Sequence, residues 1–152
     1  RVRDWLETVW PSPEDPDDLP SRDTCGPSSA VLLAALLDEI PGDWRIAGGA
    51  EDVRDPMNRD DLVPDALPGG MADIHGCWHD HYWVESREFG LRVDVTADQF
   101  GHAPALVSAS DDPLYNANWT DEAVRRHGVA DTATAREWTA GFRARGTAPR
   151  WR

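Results

Sequence analysis

The sequence contains no lysine: all 15 of its basic residues are arginines. That excludes Schiff-base catalysis and the phosphate-gripping lysine of Walker-type loops. Only two cysteines are present, Cys25 and Cys77, too few for a disulfide-scaffolded secreted domain. Positive charge is scarce as well. The 15 arginines face 28 Asp and Glu, for a formal net charge of −13, and such a surface repels phosphate backbones and anionic lipid. Neither nucleic acid nor a membrane is an expected partner. No apolar run approaches the roughly 20 residues of a membrane span; the longest covers residues 30–37. The start lacks the basic and apolar regions of a signal peptide. A cytoplasmic address is the expectation, with a secreted effector as the alternative. Arg1 in place of methionine leaves open a processed protein, a trimmed chain or the terminal domain of a longer one.

What is present describes a folding chain. The 152 residues are 40% hydrophobic and include eight tryptophans, enough apolar surface for one core in one domain spanning residues 1–152. Residues 2–10 place Val2, Trp5, Leu6 and Val9 at helical spacing. Residues 11–20 hold four prolines and four acidic side chains, a composition for an extended connector. Residues 30–40 are rich in Ala and Leu and apolar nearly all round, which predicts a buried central helix. A short strand is expected over 44–47, then a long polar loop over 48–70.

From residue 74 to 95 the pattern turns to β. Tyr82, Trp83 and Val84, a break over 86–90, then Leu91, Val93 and Val95 predict a hairpin. A third short strand follows at 105–108. Helices are expected over 121–127 and 133–145, with Thr120 and Asp131 as N-caps. The fold class is α+β, with a core over 21–110 and a helical region over 111–152.

Cys25 stands just before the predicted central helix, where unpaired backbone N–H groups and the positive end of the dipole favour a thiolate. A thiolate attacks acyl carbons, and the Cys25 N–H is placed to serve an oxyanion hole. The hairpin supplies partners. With its turn centred between Arg87 and Glu88, paired residues sum to 175, which sets His81 directly opposite Asp94. Their Cβ atoms would lie about 4.5–5.5 Å apart, so Asp94 could orient the imidazole and leave its other nitrogen facing Cys25.

Three blocks carry a resemblance. Asp-Thr-Cys-Gly-Pro-Ser-Ser-Ala (23–30), His-Tyr-Trp-Val-Glu (81–85) and Val-Asp-Val-Thr (93–96) resemble the successive Cys, His and Asp blocks of the papain-like superfamily, nearest its transglutaminase-like branch. The resemblance covers residues 21–101. It implies a Cys-bearing helix packed on an antiparallel sheet, with Cys25 as nucleophile, His81 as general base and acid, and Asp94 as orienting residue. It also implies a protein or peptide substrate, no cofactor, and thioester chemistry resolved by water (protease, deamidase) or by an amine acceptor (transglutaminase). The Cys-Gly-Pro start is similar to that of bacteriocin-leader peptidases of the same superfamily, but their oxyanion glutamine would fall at Leu19. The side-chain half of an oxyanion hole is therefore unassigned.

Other residues complete the candidate set. Gln99 either gives an amide to the oxyanion or pins its loop. Trp78 and Trp83 flank His81; Trp83, on the same face, is expected to wall the cleft. His75, Cys77, His79 and His81 alternate, so an extended strand would put all four on one face as potential metal ligands. Four in a row span too far for one tetrahedral site, and no metal is assigned; a metal-binding protein is one alternative function. A catalytically silent peptide-binding module is another. Arg143, Arg145, Arg150 and Arg152 make the C-terminal end basic, and contact with the protein's own carboxylates is the expectation there.

Overall fold

The computed structural model describes residues 1–15 and 17–146. Its fold is α+β, with four α-helices and two antiparallel sheets among those residues. Helix α1 is Val2–Leu6, ending sooner than its apolar spacing suggests. After the proline-rich segment comes α2, Cys25–Glu39, which starts five residues earlier than the Ala/Leu run. Pro27 does not prevent this, because a first-turn residue needs no N–H donor.

The larger sheet has the order β1-β4-β5-β6, built from Arg45–Gly49, His81–Ser86, Leu91–Asp94 and Leu106–Ala109. The smaller has the order β3-β2-β7, from Trp78–His79, Gly70–Ala72 and Tyr115–Asn116. Helices α3, Asp121–His127, and α4, Ala133–Gly146, follow. Thr120 caps α3, accepting from the Ala123 N–H at 3.1 Å. The hydroxyl at the start of α4 is that of Thr132, which accepts from the Ala135 N–H at 3.1 Å, so the cap expected at Asp131 lies one residue later.

One face of the larger sheet packs on α2, α1 and α4 through Leu6, Trp10, Val31, Leu32, Trp44, Val84, Val95, Trp138 and Phe142. The other face carries Ala47 and Trp83 against Met71, Ala97 and Tyr115, beneath the smaller sheet. Strand periodicity sorts β4 between the two: Val84 toward the helices, Trp83 away from them. Gly49, opposite His81 in β1, lets the sheets approach, since a Cβ there would meet Gly70 N at 2.4 Å and Asn116 O at 2.5 Å. The expected loop over 48–70 therefore gives up its first and last residues to strands.

The hairpin register differs from expectation. Val84 pairs with Val93, Glu85 with Arg92 and Ser86 with Leu91, a sum of 177 where 175 was predicted. Gly90 explains the shift. Its φ of +61° suits the end of a four-residue loop over 87–90, and the Asp43 carboxylate holds that loop by accepting from Ser86 Oγ and the Glu88 N–H. Because the sum moves by two, parity and therefore face are preserved. His81 and Asp94 are diagonal neighbours, not direct opposites.

The continuous alternating strand through 75–81 does not form. Asp73 Oδ1 accepts from the backbone N–H groups of His75 and Cys77, folding that stretch into a turn with Gly76 at φ +81°. His79 and His81 belong to different sheets. Among the described residues no group of three or more His, Cys, Asp and Glu is arranged to hold a metal ion.

Basic side chains of α4 contact the body. Arg143 forms a two-pronged pair with Asp38 at 2.8 and 2.9 Å, and Arg145 lies 4.4 Å over the Trp5 ring. Arg150 and Arg152 lie outside the described residues. Within those residues no helix is long and apolar enough to cross a membrane.

Candidate active site

Cys25 is the first residue of α2 and half-buried. A tight turn delivers it: the Thr24 N–H and hydroxyl both donate to Ser21 O, at 3.2 and 2.7 Å. Asp23 takes a left-handed φ of +58°, which Asp tolerates better than most residues. Thr24 makes no side-chain cap bond to the helix. With Pro27 third in the helix and the Ser28 N–H donating to Thr24 O at 2.9 Å, the first-turn N–H groups that helical geometry leaves without an intrahelical acceptor are those of Cys25 and Gly26.

His81 begins β4 and is wholly buried. Its Nε2–H donates to Asp94 Oδ2 at 2.7 Å. Asp94 accepts three further bonds: Tyr115 Oη at 3.1 Å on Oδ2, and the Thr96 N–H and Oγ1 at 2.8 and 3.1 Å on Oδ1. Burial raises the Asp94 pKa, but His81, Thr96 and Tyr115 together outweigh it and hold the carboxyl below its usual range. For His81, burial pulls downward, whereas the Asp94 charge and hydrogen bond, joined by Cys25, raise the pKa on balance. Burial, then Asp94, raises that of the Tyr115 phenol.

With Nε2 engaged, Nδ1 is left. It is buried without a hydrogen bond of regular geometry, yet the Cys25 thiol lies close enough to act on the ring's protonation. The His81 ring thus has a carboxylate fixing one edge and an unpartnered nitrogen on the other, with the Cys25 thiol, at the start of α2, helping to raise its pKa. Phe100 packs edge-on against the His81 ring, centroids 4.9 Å apart, and stacks on His79 at 5.1 Å.

Phe100 also lines a cleft of about 520 Å³ with Arg22, Asp23, Asp73, His79 and Gln99, whose lining does not include Cys25, His81 or Asp94. Gln99 Nε2 donates to Thr96 O at 3.0 Å, so its amide pins the loop. Trp83 is not the expected cleft wall. It shares the face of His81 but is fully buried among Met71, Ala97 and Tyr115. Trp78 is half-buried and lines a separate open groove with Asp52, Arg54, Leu67 and Pro68. Leu19, at the position of the missing glutamine, is 42% exposed.

Sequence reasoning missed several neighbours. Thr96 was within reach, since an Asp readily accepts from an N–H two residues on. Tyr115 had no local signal. A second cluster was also unforeseen: Tyr82 Oη and His127 Nδ1 share a hydrogen bond of 2.7 Å, and His127 Nε2–H donates to Asp61 Oδ2 at 2.8 Å. No protein-family model, curated protein or solved structure matches the chain.

Proposed function

We propose that the protein is a thiol-dependent amide hydrolase or acyl transferase of the papain-like, transglutaminase-like kind, acting on a protein or peptide. The observation that supports this reading is the buried His81–Asp94 pair, whose ring keeps Nδ1 without a partner and has its pKa raised by Cys25 as well as by Asp94.

In the proposed reaction His81 takes the Cys25 proton, and the start of α2 favours the resulting negative charge. Sulfur attacks the acyl carbon, and the carbonyl electron pair moves to oxygen. Collapse restores the carbonyl as the amine leaves with a proton from His81, giving a thioester on Cys25. Water or an amine, deprotonated by His81, then releases the acyl group and returns the thiol. Asp94 keeps the ring in one tautomer and offsets its charge in the imidazolium form.

The test uses p-nitrophenyl acetate, an activated acyl donor that needs no knowledge of the natural substrate. Wild-type protein should release a burst of p-nitrophenolate matching the Cys25 content, and Cys25→Ala should lose it with an unchanged circular-dichroism spectrum. An equal burst from Cys25→Ala would remove the reading.

A further inference from the structure

The cleft of about 520 Å³ lined by Asp23 and Phe100 holds none of the three proposed catalytic residues, yet both of these lining residues adjoin them. Asp23 stands two residues before Cys25, so their Cα atoms lie within about 7.6 Å of each other. Phe100 is the second link. Its ring meets the His81 ring at 4.9 Å between centroids and the His79 ring at 5.1 Å, so one aromatic ring borders both the His81 imidazole and the cleft. A substrate whose acyl carbon is bonded to Sγ therefore has the cleft within the reach of one long side chain.

We propose that this cleft takes a basic side chain of the acyl donor, with Asp23 as the residue that selects it. This rests on the acyl-transfer reading above and narrows its substrate to peptides that carry Arg or Lys at the reacting acyl group.

Charge sets the class of side chain. Arg22 Nη1 lies 2.8 Å from Asp18 Oδ1, so its charge is already offset. Asp73 commits Oδ1 to the His75 and Cys77 N–H groups and Oδ2 to His79 Nε2. Asp23 differs: it is exposed, is held at a left-handed φ of +58°, and has no hydrogen bond or ion pair among the described residues. The unmet charge in the lining is thus a carboxylate, in a chain whose net charge of −13 attracts cations.

The rest of the lining suits the stem of such a side chain. Phe100 and Ile74, the latter 62% exposed, offer apolar surface for methylene groups, and arginine and lysine carry their charge at the end of a methylene stem. This surface is already assembled. Ile74 N–H donates to Phe100 O at 3.3 Å, and Gly101, at φ +84°, leaves room for the Ile74 side chain, which a Cβ there would meet at 3.0 Å.

The test compares N-acetyl-arginine p-nitrophenyl ester with its N-acetyl-citrulline counterpart, in which a neutral urea replaces the guanidinium at nearly the same size. With either ester His81 takes the Cys25 proton, the S–C bond forms, the ester C–O bond breaks and p-nitrophenolate departs with the bonding pair. Only recognition of the side chain differs. Wild-type protein should acylate Cys25 about three- to fivefold faster from the arginine ester. Asp23→Asn, whose side chain also tolerates the left-handed backbone, should bring the two rates together. Because the ratio is taken within each protein, any general change at Cys25 cancels. Equal rates in wild type, or a preference that survives in Asp23→Asn, would overturn the proposal and leave the acyl-transfer reading standing. Failure of every ester, p-nitrophenyl acetate included, to acylate Cys25 would remove that reading and the proposal with it.

Discussion

His81 and Tyr82 are adjacent in sequence, point to opposite faces of one strand, and each meets a carboxylate-linked partner in a different setting. His81 and Asp94 are 0% and 2% exposed, whereas His127 and Asp61 are 20% and 21% exposed. Asp94 draws donors from the protein interior, namely His81, Thr96 and Tyr115. Asp61 instead shares its charge with Arg126 at the surface, through a 2.6 Å contact. A dry pair is costly to break, since the partner left behind is an uncompensated buried charge. A wetted pair can exchange a lost hydrogen bond for water. The first arrangement suits fixed proton chemistry, and the second suits the anchoring of a neutral hydroxyl.

The largest effect should follow from breaking the buried side. Asp94→Ala is expected to lower p-nitrophenyl acetate turnover by about 10²- to 10⁴-fold and to cost about 3–5 kcal/mol in urea unfolding. It should still leave more activity than Cys25→Ala, because the nucleophile survives. Wild-type turnover in Asp94→Ala would show that His81 needs no orienting partner.

The pH dependence of stability comes next. The folded-state pKa of Asp94 is depressed, so its contribution is present above the unfolded value near 3.9 and fades as pH falls through the folded value. The folded-state pKa of His81 is raised, so its contribution is full below about 6.5 and declines as pH rises toward the folded value. Both act together between about pH 4 and 6.5, where the pair should add most to the melting temperature. Asp94→Ala should remove the alkaline decline attributable to His81. Identical melting profiles above that window in wild type and Asp94→Ala would contradict the pairing.

The smallest effect belongs to the exposed side. Asp61→Asn, assayed like Asp94→Ala, should slow acetylation less and cost less stability than Asp94→Ala does. Losses as large as those of Asp94→Ala would erase the contrast between the two faces.

The same contrast governs what the sequence made legible. The α2 region was readable from its Ala/Leu content, and α3 from the Thr120 cap. The nearness of His81 and Asp94 was readable from one hairpin. It tolerated a wrong register because the error of two residues kept both side chains on one face. Where reasoning failed, the deciding information was distant or too short to carry a period. Strands β2, β3 and β7 span two or three residues each, and alternation needs more than that to register. The His75–His81 alternation looked like one strand because an Asp73 side chain that folds the chain back leaves no mark on hydrophobic periodicity. Trp83 was misassigned because a shared strand face does not reveal where along the strand the core closes over. Tyr115 meets Asp94, and His127 meets Tyr82, across 21 and 45 residues of chain, contacts that only the tertiary fold creates.

The most direct measurement is the location of the acetyl group after p-nitrophenyl acetate is mixed with wild-type protein and quenched in acid, read by mass spectrometry of the peptides. The account predicts acetyl on Cys25, little on the exposed Cys77, and loss of the Cys25 label in His81→Ala. Equal labelling of both cysteines, or a Cys25 label indifferent to His81, would contradict it.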